Sequence, residues 1–221
     1  MRSKRIEDFV DRYPLVGPIF WIMSIQYYLV QIIVARSWTT PYSWASNQIS
    51  DLGNTACGQY SDRFVCSPLH ALMNASFIAL GITMIAGSVL IYHEFRRSRG
   101  TVVGFGSMAI AGVGSLLVGL FPENANIVLH TTGASLVFII GNISLVVLGL
   151  TLEMPLPLKM FTILSGAIAL AALLLAETHA QLVIGPGGIE RLVVFPQSIW
   201  LIVFGIYMSR SRYMRATKKR P

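Results

Sequence analysis

Charge is what this chain has least of. Asp, Glu, Lys and Arg make up 12% of its 221 residues, against 54% hydrophobic, whereas a soluble domain carries about 25% charged residues. That shortage excludes an ordinary water-soluble globule. The few charges avoid the long apolar runs almost entirely. A proton or ion pathway across a bilayer needs protonatable groups at several depths, so a pump or channel is disfavoured too. Cysteine is nearly as scarce: only Cys57 and Cys66 occur, and without a second pair no zinc-type cysteine pattern is completed. Also missing are a Gly-rich phosphate loop, a nucleotide fingerprint and a Gly-x-Ser-x-Gly nucleophile elbow.

What is present is apolar sequence in blocks. Mean hydropathy is +0.63, and six blocks can be marked at 14–35, 68–92, 101–121, 128–152, 158–176 and 192–208. Each has about the twenty residues a helix needs to cross roughly 30 Å of hydrocarbon. A closed barrel would instead show segments of about ten residues alternating in polarity. The expectation is an all-α polytopic membrane protein. It divides into an amphipathic N-terminus (1–13), a six-helix domain (14–208) and a basic tail (209–221). The first block follows "MRSKRIEDFVDRYP" and lacks a small-residue cleavage site, so it reads as a retained span and not as a signal peptide.

Basic residues set an expected orientation. Of 17 Lys and Arg, 14 fall before span 1, between spans 2 and 3, between spans 4 and 5, or after span 6; Arg36, Arg63 and Arg191 fall on the other side. The positive-inside bias then puts both termini in the cytoplasm, with the helices in three hairpins opening outward in the cell membrane. The net charge of +7 is explained by this topology and by anionic headgroups, and no nucleic-acid partner is expected.

The one long polar passage, "NQISDLGNTACGQYSDRFVC" at 47–66, becomes the outer loop between spans 1 and 2. On that side a disulfide between Cys57 and Cys66 can persist. In span 3, Ser107, Ala111, Ser115 and Gly119 form a small-residue stripe on which another helix can pack closely. Asn74 and Asn142 lie within spans, where an unpaired amide is costly and should face the bundle. Asn74 lies one turn below His70, on the same face.

Sorting the ionisable groups by side gives the main functional expectation. Asp51, Asp62, His70, Glu123, His130, Glu177, His179, Glu190 and Arg191 all fall near the outer ends of spans, which points to a polar cup at the membrane surface. Partly desolvated carboxylates there have raised pKa values and suit general-acid work. The expected catalytic set is Asp51, Glu123 and His130, acting on a membrane lipid or isoprenoid-type substrate, with acid-initiated cyclisation as one form of the chemistry. Arg191 would hold an anionic headgroup. Ser50, His70, Asn74, Glu177, Glu190, Trp38, Trp44 and Trp200 would complete the binding surface. A non-catalytic lipid-binding or accessory subunit is the second reading, with its protein partner undetermined. No cofactor is indicated. Zinc on His70, His130 and His179 is the runner-up, although none of the three has the short His spacing that makes a zinc motif specific.

"ISDLG" (Ile49 to Gly53), "GLFPE" (Gly119 to Glu123), His130 heading the next span, and "GGIERL" (Gly187 to Leu192) occur in that order. With them the chain resembles the bacterial and archaeal multi-pass membrane proteins catalogued as domain of unknown function 998, over about residues 14 to 208. The resemblance implies the fold and draws attention to Ser50, Asp51, Glu123, His130, Glu190 and Arg191, without naming a reaction. A fainter similarity is to membrane hydrolases of the alkaline ceramidase and progestin-receptor type, which place a Ser, an Asp and three His around zinc. Those have seven spans and a close His pair on the last, whereas span 6 here has no His.

Overall fold

A computed structural model describes residues 4–176 and 184–218, with side chains through residue 211. The described chain is mostly helical. Six helices are long and apolar enough to cross a membrane: span 1 (Val16–Arg36), span 2 (His70–Tyr92), span 3 (Arg99–Leu120), span 4 (Ile127–Thr151), span 5 (Leu156–Leu175) and span 6 (Pro186–Ser211). The protein is a multi-pass membrane protein. Leu29, Val103, Ile110, Leu120, Leu150, Ile168 and Leu174 are exposed on its flanks, as expected where hydrocarbon replaces water as the solvent.

Local signals account for several boundaries. Span 3 starts at a capping box in which Ser98 and Thr101 satisfy each other's backbone N–H groups,. Span 4 is capped by Asn126, whose side chain accepts from the Leu129 N–H at 3.1 Å,. Pro155 precedes span 5 and Pro157 lies in its first turn, where no intrahelical donor is lost. Span 6 departs most from the sequence reading. It begins at Pro186, six residues before the expected Leu192, because Glu190 and Arg191 belong to its partly buried first turns and not to a solvated loop.

Each span packs against the next, and span 6 closes on span 1. Spans 2 and 3 approach closely. A Cβ on Gly81 would lie 2.6 Å from the Gly112 carbonyl oxygen, and one on Gly119 would lie 2.6 Å from that of Asn74. Ser115, from the same stripe, donates to the Phe77 carbonyl at 2.7 Å. Contact this close exchanges side-chain volume for direct backbone packing. Gly81→Val should therefore push the two helices apart and destabilise the protein by about 2–3 kcal/mol, as expected for overpacking; equilibrium unfolding in mixed micelles measures it.

Deeper in the bundle, Trp21, Phe105, Trp200 and Phe204 form an aromatic core, with Trp200 stacked on Phe204 at 4.7 Å between ring centroids. Their indole N–H groups are satisfied within the protein, Trp21 by the Met84 carbonyl and Trp200 by the Thr162 hydroxyl. Span 4 is interrupted by a π-helical segment, Leu136–Gly141. There Gly141 leaves room for the Gln197 amide, and Asn142 donates to the carbonyls of Phe138 (2.8 Å) and Val193 (3.1 Å).

The connection between spans 1 and 2 forms a two-stranded antiparallel hairpin, β1 (Cys57–Tyr60) and β2 (Arg63–Cys66), joined across its base by the Cys57–Cys66 disulfide. Just before it, the 3-10 turn Ser50–Gly53 dips into the bundle mouth, and Ile49 and Leu52 are buried in the core. Irregular backbone is tolerated at this depth only when the protein itself satisfies its polar groups. It does so here. Ser67 donates to the Leu52 carbonyl at 2.7 Å, Asn74 to that of Gly53 at 2.8 Å, and the Tyr42 hydroxyl to that of Gln48 at 2.9 Å.

Candidate functional site

The inserted turn places two side chains with different surroundings. Asp51 points back into the turn and is fully buried. Its Oδ1 accepts from Arg63 Nη2 at 2.7 Å, and its Oδ2 from Arg63 Nε and the Gln48 N–H, each at 2.9 Å. Arg63 comes from β2 and also donates to Gln48 Oε1 at 2.7 Å. The hairpin thus delivers a guanidinium to a carboxylate, and the pair clamps the turn.

Ser50, one residue earlier, points the other way. Its Oγ lies 3.0 Å from His130 Nε2 on span 4 and 3.3 Å from Glu190 Oε1 on span 6. Glu190 is anchored in turn by the Ile49 N–H, which donates to its Oε2. His130 Nδ1 lies 3.0 Å from the Phe121 carbonyl oxygen. A carbonyl can only accept, so Nδ1 carries a hydrogen, and in the neutral ring Nε2 is the acceptor of the Ser50 hydroxyl. A hydroxyl has a single hydrogen, so it serves either His130 or Glu190. A proton on Glu190 satisfies the other contact. The three groups thus form one continuous hydrogen-bonded chain from Glu190 to the Phe121 carbonyl.

Glu123, in the connection between spans 3 and 4, is 5% exposed. Its Oε1 accepts from Asn54 Nδ2 at 2.9 Å, and its Oε2 lies 3.9 Å from Arg63 Nη2. Burial pushes this carboxyl up to about 8, and both the charge of Asp51 and a hydrogen bond with it add to the rise, while the Asn54 amide and Arg63 oppose it. The rise favours the protonated form of this carboxyl.

Ser50, Glu123, His130 and Glu190 line one cavity of about 240 Å³, whose remaining wall is largely apolar and includes Ile127, Phe138, Leu173, Ile189 and Val193. The wall is formed by spans 4, 5 and 6. Ser50 and Glu190 also border a small apolar recess of about 30 Å³ that reaches inward to Phe77 and Val194. A larger hollow of about 300 Å³ between spans 2 and 3, at the opposite end of the bundle, is lined by His93 and Arg97 but by no carboxylate. A still larger hollow, about 570 Å³, is lined by Glu94 and Glu153 beside Arg96 and Arg97, whereas the cavity around Ser50 is the one that gathers a hydroxyl, an imidazole and two carboxyl groups.

Several expected site residues do other work. Asp51, expected as the leading acid or base, does not line the cavity; its oxygens are engaged by Arg63 and Gln48. Arg191 Nη1 donates to the carbonyls of Trp44 (2.8 Å), Asn47 (2.9 Å) and Gly187 (2.8 Å), and its Nη2 donates to the Tyr42 hydroxyl. It also lies over the Trp44 ring at 4.8 Å. It therefore ties the first connection to the start of span 6, with its guanidinium directed to the protein's own backbone and not to a headgroup. Trp44 is exposed on the far side of that contact, and Trp38 packs edge-on against Tyr42. Trp200 is fully buried in the aromatic core and cannot meet a substrate. Asn74 holds Gly53, and His70 heads span 2 without lining the cavity. Glu177 and His179 lie outside the described residues. Among the described residues, no three His, Cys, Asp or Glu side chains converge as a metal site would require.

Arg63, Asn54 and Gln48 were not singled out from the sequence. A signal for Arg63 was available, since a disulfide-closed hairpin twelve residues beyond Asp51 can return a cation to it. No curated protein and no solved structure matches the chain. A family model does match over residues 22–207, nearly the whole bundle together with the inserted turn and cavity, and by that match the chain belongs to the family of proteins of unknown function DUF998.

Proposed function

We propose that this protein is a membrane-embedded enzyme that performs acid–base chemistry on a lipid or lipid-like substrate. The substrate enters sideways from the membrane into the cavity walled by spans 4, 5 and 6. Glu123 is the proton donor and His130 the base, with Ser50 hydrogen-bonded to that base and positioned by Glu190. The observation that carries this reading is the meeting of four buried or half-buried protonatable or hydroxyl groups, from three separate parts of the chain, in one cavity with an apolar wall. Buried polar groups are costly unless they are paired or used, and a purely structural cluster has no need of an adjoining hollow.

The proposal includes an orientation in the cell membrane. The cavity end faces the non-cytoplasmic side, the six spans form three hairpins opening that way, and both termini are cytoplasmic. The basic residues support this, since 14 of 17 fall in sequence before span 1, between spans 2 and 3, between spans 4 and 5, or after the apolar run of span 6, and Arg63 and Arg191 at the cavity end are held by the protein's own groups. The disulfide is in keeping with an oxidising compartment.

The test is a time course of lipid composition after reconstitution of the full chain with a total lipid extract from its host membrane. Wild type should convert at least one lipid species, and His130→Asn should slow the conversion by about 100-fold or more, the usual contribution of a positioned acid or base. Stoichiometric retention of an unaltered lipid would instead establish the non-catalytic binding subunit.

A further inference from the structure

Resting on that reading, we infer that Ser50 is a nucleophile activated by His130, and that the substrate is a carboxylic ester of a lipid whose acyl group is carried on Ser50 Oγ during turnover. Two features of the geometry point to it. The first is the Ser50 Oγ to His130 Nε2 distance of 3.0 Å, with the tautomer fixed by the Phe121 carbonyl on Nδ1. That is the nucleophile, base and orienting-group arrangement that activates a hydroxyl, here with a backbone carbonyl as the orienter. The second is position. Ser50 stands with the other polar groups of the cavity beside its largely apolar wall, and an ester is the linkage that lies at the same junction in a lipid, between headgroup and chain.

The chemistry balances with water as the only co-reactant. As Oγ bonds to the ester carbonyl carbon, its proton passes to Nε2. When the carbon–oxygen bond to the alcohol breaks, that proton goes to the departing oxygen, leaving an acyl-serine and a free alcohol. A water molecule then gives a proton to Nε2 and its oxygen to the acyl carbon. Ser50 Oγ leaves and recovers the proton, and a fatty acid is released. Glu190, fixed by the Ile49 N–H, is a positioning residue that confines the hydroxyl on its far side. Glu123 lines the same cavity, and in its protonated form it would offer an O–H to the developing oxyanion.

The experiment is covalent labelling of the full-length detergent-solubilised protein with a long-chain alkyl fluorophosphonate, read by intact mass and peptide mapping. One adduct is expected, on Ser50. It should be absent in Ser50→Ala and slower by about 100-fold or more in His130→Asn, with both variants checked for folding by their thermal transitions. A wild-type protein that is not labelled at Ser50, or labelling indifferent to His130, overturns the inference. The two readings separate in the lipid time course. If Ser50→Ala still converts lipid while Glu123→Gln does not, the nucleophile is refuted and the acid–base enzyme stands. If wild type is labelled at Ser50 but converts no lipid of the extract, the nucleophile is upheld and the lipid reading is refuted.

Discussion

Arg63→Ala should be the most destabilising single change outside the spans, costing about 3–5 kcal/mol. Asp51 is fully buried, and three of the contacts to its oxygens come from this one guanidinium. Without Arg63, the carboxylate keeps the Gln48 N–H and a long contact of 3.4 Å to Asn47 Nδ2, too little to offset the desolvation of a charge. Arg63→Lys should recover little of the loss, because an ammonium cannot reproduce the forked geometry. The double variant Arg63→Ala, Asp51→Asn removes the orphaned charge and should be more stable than Arg63→Ala alone. Equilibrium unfolding in mixed micelles gives all of these values, and their non-additivity is the coupling energy of the pair. Ser50 adjoins Asp51, so activity should fall together with order in the turn. An Arg63→Ala protein within 0.5 kcal/mol of wild type would mean that the clamp is not what holds the turn.

Glu123→Gln should have the opposite character: a protein as stable as wild type or more so, with no turnover. The folded carboxyl titrates at about 8 against the ordinary 4.5, chiefly through burial. Between those values the folded state keeps a proton that the unfolded chain has released. Protonation therefore favours folding in that window, and the group's contribution to stability declines as pH rises from about 4.5 to about 8. The slope is at most about 1.4 kcal/mol per pH unit for one proton. Glutamine imitates the protonated form, so the difference between variant and wild type should grow with pH across that window and level off above it. The same proton is the one proposed for catalysis, and wild-type turnover should accordingly fall above pH 8. A stability difference independent of pH would show that Glu123 does not hold a proton in the folded protein.

The six spans were legible because lipid imposes a requirement that the sequence must meet locally: about twenty apolar residues for each crossing. The same rule misplaced the start of span 6. A hydropathy reading stops at Glu190 and Arg191, while the structure continues the helix through them, since one reaches Ser50 and the other the carbonyls of Trp44 and Asn47. Partners supplied by a loop more than 130 residues away leave no local trace. The cavity was half legible. Glu123, His130 and Ser50 stand out as polar groups at the mouths of apolar runs, and the structure brings His130 to Ser50 and places both with Glu123 around one hollow. Asp51 stood out equally, yet its burial with Arg63 gives it a structural part. The sequence reports which side chains are polar; whether one faces a cavity or a cation depends on how the 3-10 turn is set, and that follows from Ile49 and Leu52 filling the core below it. Trp200 illustrates the same ambiguity, because an aromatic residue in an apolar run serves equally as belt, pocket or core.

The most direct measurement is an experimental map of the protein purified with its native lipid. Ordered lipid should occupy the cavity, its chains against Phe138, Ile189 and Val193 between spans 4 and 6, with a polar atom of the lipid within hydrogen-bonding distance of Ser50 or His130. A cavity holding only water, with lipid confined to the outer flanks of the bundle, would contradict the account.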